Sequence, residues 1–203
     1  MSKLRFVRAA LDGVAHVGRI DGDTVAFFEH DDPLAAIRGE GTVVSTVPLK
    51  GLELLAPVEA PEIWCAGVTY ERSRDARLEE AQTDARDVYA LVYDADRPEL
   101  YMKDASMRRT VGPGGTIRLR SDSSWMVPEP ELGLLFGENG EPVAVTIGND
   151  VSSRDIEGAN PLYIPQAKIF AGLVPPDDYT LEPGHTVEIE IEGIGVLSNT
   201  VAA

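Results

Sequence analysis

Cysteine is nearly missing from this chain. Cys65 is the one sulfhydryl in 203 residues, which excludes an internal disulfide framework and a cysteine-rich zinc site. Long hydrophobic runs are missing as well. No apolar stretch is long enough to span a bilayer, and the opening Met1-Ser2-Lys3-Leu4-Arg5 lacks the apolar core of a signal peptide. A cytoplasmic protein without a membrane partner is therefore expected. Positive charge is scarce: the formal net charge is -16 and the pI about 4.5. Such a surface repels phosphate, so nucleic acid is not expected as a partner. Lysine is scarcest of all, with Lys3, Lys50, Lys103 and Lys168 against fourteen arginines. This pattern suits a high-salt cytoplasm, where repulsion is screened, and equally a simple acidic protein. The phosphate loop G-x-x-x-x-G-K-[ST], the dinucleotide-binding glycine fingerprint and the G-x-S-x-G nucleophile elbow are all absent.

What is present is an ordinary globular composition, 43% hydrophobic and 26% charged, enough for one large domain or one domain with a small appendage. Residues 1–58 read as a small β-rich N-terminal lobe. Leu4 to Ala9, Val14 to Ile20 and Thr24 to Glu29 are short strand-like segments separated by Asp-Gly pairs, which are hairpin signals. His16 and His30 stand near strand ends with no second ligand type at metal spacing, so neither is read as a ligand. Residues 59–203 form the larger unit. It opens with Glu62 to Val68, read as a buried strand with Cys65 as apolar filler, followed by a charged helix from Tyr70 to about Tyr93. Leu100 to Asp104 reads as a strand carrying Lys103, and Asp150 to Asp155 as a polar turn. In Val187 to Glu192 alternation puts Val187, Ile189 and Ile191 on one face. The fold class expected is mainly β, of the α+β kind.

The most informative stretch is V-P-E-P-E-L-G-L-L-F-G-E-N-G-E-P-V-A-V-T-I-G-N-D, Val127 to Asp150. Two apolar runs flank Gly137-Glu138-Asn139-Gly140, the pattern of a β-hairpin. A turn near Asn139 sets Glu129 and Glu131 across the ladder from Asn149 and Asp150. Residues two apart share a strand face, so Glu129, Glu131 and Asp150 are candidates to converge. Three converging carboxylates repel unless a hard cation such as Mg²⁺, Mn²⁺ or Ca²⁺ neutralises them. Read from these residues alone, the same carboxylates are equally well solvated strand ends.

P-E-P-E-L-G-L-L-F, I-G-N-D-V-S-S-R-D, Q-A-K-I-F and the closing V-E-I-E-I-E-G-I-G-V-L-S-N-T-V resemble the core of the fumarylacetoacetate hydrolase family. W-C-A-G-V-T-Y-E-R-S-R-D-A-R and Y-M-K-D-A-S are similar to its branch of 2-keto-3-deoxy-pentonate dehydratases, the arabinonate and xylonate enzymes. The resemblance covers roughly residues 60–203. It implies a mixed β-roll, a Mg²⁺ site at Glu129, Glu131 and Asp150, and an active-site lysine at Lys168. Thr69, Tyr70 and Lys103 are then expected to touch substrate.

Family members that hydrolyse or decarboxylate carry a histidine three residues after the tyrosine of a G-x-N-Y motif, and a glutamate beyond it. Here the run is Gly67-Val68-Thr69-Tyr70, with Ser73 and Ala76 at those two positions. The resemblance thus implies a cytoplasmic lyase in pentose catabolism that dehydrates a 2-keto-3-deoxy-pentonate to 2,5-dioxopentanoate, working as a homodimer or higher homo-oligomer. The alternatives are an acylpyruvate-type hydrolase or oxaloacetate decarboxylase of the same fold, or an inactive shortened member. The last arises because the segment between Lys168 and the closing strand is much shorter than the family pattern.

Overall fold

The computed structural model describes residues 4–67, 91–160, 163 and 179–203. Strands dominate these residues. The N-terminal part is a five-stranded antiparallel sheet in the order β4-β3-β2-β1-β5, built from β1 (Phe6–Leu11), β2 (Val14–Asp21), β3 (Thr24–Phe28), β4 (Val43–Pro48) and β5 (Glu53–Leu54). The β1–β2 connection is a two-residue loop, Leu11 pairing with Val14. Both loop residues have left-handed backbones, Asp12 at φ 50° and Gly13 at φ 79°, the geometry whose twist matches the flanking strands. Alternation then buries Ala9, Val25 and Phe27 on one face, while Val17 and Phe28 pack with Ala36 on the other. Ala36 belongs to α1 (Pro33–Ile37), a short helix with Pro33 in its first turn. Asp32 caps it, its carboxylate accepting from the Leu34 and Ala35 N–H groups.

The remaining strands form smaller ribbons. β6 (Glu62–Ala66) pairs with β7 (Leu100–Ala105), β9 (Met126–Val127) with β12 (Ser152–Ser153), and β10 (Pro130–Phe136) with β11 (Pro142–Asn149), all antiparallel. β13 (Thr186–Ile191) and β14 (Gly195–Ala202) make a hairpin, and β14 also pairs in parallel with β8 (Thr116–Arg118). The core here is Ile117, Met126, Val151, Leu181, Val187, Ile189 and Val201. Val187 and Ile189 enter it on the face their alternation predicts.

Two expectations are corrected. Asp150 to Asp155 is no plain turn: it contains β12 and the start of α2 (Arg154–Ala159), because Ser152 and Ser153 pair with Val127 and Met126. Glu62 to Ala66 is not a fully buried strand, since its ribbon leaves one face to solvent and Trp64 is 53% exposed. The predicted helix from Tyr70 onward lies almost entirely outside the described residues. Among those described, no helix is long and apolar enough to cross a membrane.

Candidate metal centre

The hairpin of β10 and β11 sets the register of the acidic residues. Pro130 pairs with Asn149 and Glu131 with Gly148, and beyond the ladder the Asp150 N–H donates to the Glu129 carbonyl at 2.9 Å. The Glu129 N–H is held in turn by Asn149 Oδ1 at 3.1 Å. Glu129 and Glu131 thus stand two apart along one edge, with Asp150 directly across from Glu129.

Their side chains do not share one environment. Glu131 and Asp150 each offer a carboxylate oxygen, and Cys65 its Sγ, all within 4.8 Å of one another. Asp150 is buried. Its Oδ2 accepts a hydrogen bond from the Tyr101 hydroxyl at 2.9 Å, and its Oδ1 pairs with the Lys103 ammonium. Glu129 is also buried, but its carboxylate rests on Arg154 Nη2. Arg154 reaches onward through Nη1 to Glu157 Oε2 at 3.3 Å, and the Ser152 hydroxyl donates to that oxygen at 3.1 Å.

Burial, and after it the negative charges of Cys65 and Glu131, push the Tyr101 phenol far above its ordinary range. Two neighbouring carboxylates behave in the opposite way. Burial works to raise Asp104, but the Arg109 N–H and both donors of Thr110 outweigh it and hold the group below the usual carboxylate range. Asp155 is likewise held low, burial being outweighed by Ser124, Ser123 and the Ile156 N–H.

Among the described residues, the carboxylates of Glu129, Glu131, Asp150 and Glu157 stand with the cations Lys103 and Arg154. The oxygen donors of Glu131 and Asp150 suit a hard cation such as Mg²⁺; the neighbouring sulfur does not. The expected convergence of Glu129 with them is not seen in that cluster, its carboxylate meeting Arg154 instead.

Three of the predicted site residues, Lys168, Thr69 and Tyr70, lie outside the described residues. Lys103 does stand at the acidic cluster. Four neighbours were not predicted. Cys65 read as filler because its strand looked buried on both faces, and Arg154 and Glu157 fell in or beside a presumed turn. Tyr101 offered no signal beyond its place two residues before Lys103, on the same strand face.

A family model described as Rv2993c-like, N-terminal, matches residues 4–57. The chain is 51% identical over 142 residues to the probable 2-keto-3-deoxyxylonate dehydratase of Haloferax volcanii, a match covering 66% of this chain and 47% of that protein. It is 42% identical over 133 residues to the 2-dehydro-3-deoxy-D-arabinonate dehydratase of Saccharolobus solfataricus, covering 64% of this chain and 44% of that one. In both cases the match spans less than half the relative's length. A solved structure of 2-keto-3-deoxy-D-arabinonate dehydratase complexed with magnesium and 2,5-dioxopentanoate superposes with a TM-score of 0.80 at 25% identity, over 97% of this chain and 98% of that one. The 2-hydroxyhepta-2,4-diene-1,7-dioate isomerase from Mycobacterium marinum superposes over 98% of each chain with a TM-score of 0.70 at 21% identity, a likeness of fold alone. The expected fold, mainly β and fumarylacetoacetate-hydrolase-like, is borne out.

Proposed function

We propose that this chain, a relative of the 2-keto-3-deoxy-pentonate dehydratases that shares their fold, dehydrates a 2-keto-3-deoxy sugar acid to 2,5-dioxopentanoate with Mg²⁺ as cofactor. The observation that carries this reading is the convergence of Glu131 and Asp150, whose carboxylate oxygens lie within 4.8 Å of each other, with Glu129 across the ladder from Asp150. Glu129, Glu131 and Asp150 hold the ion, and Mn²⁺ or Ca²⁺ substitutes for it. When bound, the ion supplies Lewis acidity toward the oxygens of the 2-keto acid.

The chain's own residues do the rest. Tyr101 fixes one oxygen of Asp150. Lys103 offsets the charge of Asp150 and presents a cation to an anionic substrate. Lys168 moves the proton: C3 loses a proton, the C4 hydroxyl leaves as water, and tautomerisation gives the dioxo acid. Thr69 and Tyr70 are substrate contacts.

Residues 1–58 form a small lobe and 59–203 the catalytic roll. Supporting this division, the five-stranded sheet lies wholly within residues 6–54. A homodimer or higher homo-oligomer is supported by the half-exposed row Leu132, Leu134 and Phe136 on β10, with Val145 opposite Leu134. A cytoplasmic location, and partners limited to small molecules and copies of itself, complete the proposal.

Calorimetric titration with Mg²⁺ and Mn²⁺ tests the centre. Binding is expected in the unaltered chain and should be lost in Glu131→Ala and Asp150→Ala. Formation of 2,5-dioxopentanoate from a 2-keto-3-deoxy-pentonate, measured against cleavage of an acylpyruvate, tests the reaction. Turnover of the acylpyruvate alone would assign the hydrolase chemistry instead.

A further inference from the structure

Resting on the metal-centre reading above, we infer that Arg154 is a positioning residue of that centre, holding Glu129 in place for the cation, with Glu157 and Ser152 in turn holding Arg154. The guanidinium is 1% exposed and lies between two buried carboxylates. Nη2 rests on Glu129 Oε1, and Nη1 faces Glu157 Oε2 at 3.3 Å. Ser152 Oγ donates to that same Oε2 at 3.1 Å. The backbone fixes both ends of this chain of contacts. The Arg154 N–H donates to Trp125 O at 2.8 Å, and Glu129 is pinned at its N–H by Asn149 and at its carbonyl by Asp150.

The shape of the cation separates positioning from simple charge compensation: Arg154 meets Glu129 at Oε1 through Nη2 and Glu157 at Oε2 through Nη1. A planar guanidinium reaches two carboxylates in fixed directions; a lysine ammonium is a point charge on a flexible stem and cannot hold both. Glu157 also matters electrostatically. It cancels the charge of Arg154, so Glu129 keeps its attraction for a cation. Without Glu157 the guanidinium would neutralise Glu129 outright. The sign of its contribution to cation binding is therefore favourable although its carboxylate belongs to α2, outside the hairpin.

The test is Mn²⁺ binding, by calorimetry and by the paramagnetic resonance of the free ion, in Arg154→Lys and Glu157→Gln, with thermal unfolding recorded alongside. Arg154→Lys keeps the charge and loses the fork. Glu157→Gln keeps an acceptor for Ser152 and loses the charge. Both are expected to weaken Mn²⁺ binding about 10- to 100-fold, the usual effect of removing an outer partner of a metal ligand. A purely structural Arg154 would lower the unfolding temperature and leave the Kd of the folded fraction unchanged, which overturns the inference. If Arg154→Lys does not fold, the Kd of Glu157→Gln decides alone by the same criterion. The underlying reading fails separately: no Mn²⁺ binding by the unaltered chain, or unchanged binding in Glu131→Gln, removes the centre itself.

Discussion

Cys65 Sγ lies within 4.8 Å of ligand oxygens of Glu131 and Asp150, yet sulfur adds little to a hard-cation site. The two facts separate position from chemistry. Cys65→Ala removes a soft neighbour and should leave Mg²⁺ and Mn²⁺ binding intact, whereas carbamidomethylation of Cys65 puts bulk between the carboxylates and should abolish it. Because this is the sole cysteine, one mass measurement reports the modification and one titration its effect. Loss of binding in Cys65→Ala would instead make the thiolate a ligand. A lone cysteine between Trp64 and Ala66 in an apolar segment gives no hint of this position. The location follows from pairing opposite Tyr101 on β7, a contact between residues 36 positions apart. Glu131 and Asp150 were legible for the opposite reason. An Asn-Gly turn and a period of two indicate the hairpin, while a register shift between Leu135 and Phe136 sets which residues face each other, Glu131 opposite Gly148.

At the scale of elements, α2 binds its surroundings through successive side chains pointing different ways. Arg154 and Glu157 turn toward Glu129, while Asp155 accepts from Ser123 and from both donors of Ser124. Nothing in S-S-R-D announces a helix, since its serines favour turns and its six residues are too few for periodicity. Tertiary pairing of β12 with β9 decides the matter. Asp155 gives this element a pH signature. Its folded pKa is depressed, so ionisation contributes stability that is fully present above the unfolded value, about 3.9. That stability is lost as pH falls through the folded value. Asp104, also depressed, acts in the same direction by tying the turn after β7. Thermal unfolding followed from pH 7 toward pH 2 should show Tm holding until about pH 4 and falling below it, and Asp155→Asn should flatten that fall. An acid limb identical in Asp155→Asn would place the loss of stability elsewhere.

Over the whole molecule the dominant quantity is net charge, -16 across 203 residues. It is not spread evenly. Glu188 and Glu190 alternate with buried Val187 and Ile189 on β13, so both carboxylates stand exposed on one strand face. Like charges two residues apart repel, and raising the salt concentration shortens the Debye length from about 10 Å at 0.1 M to about 3 Å at 1 M. The buried ion pairs, Arg154 with Glu129 and Glu157, are screened much less. Salt should therefore relieve repulsion at the surface more than it weakens attraction inside, and Tm should rise with KCl. Glu188→Lys replaces one member of the acidic row and should raise Tm at low salt while reducing its salt dependence. The measurement is Tm by circular dichroism at KCl concentrations from 0.1 to 1 M. A Tm that stays flat or falls would mean that exposed pairs such as Arg120 with Asp122 outweigh the repulsion, and the acidic surface would then carry no adaptation to salt.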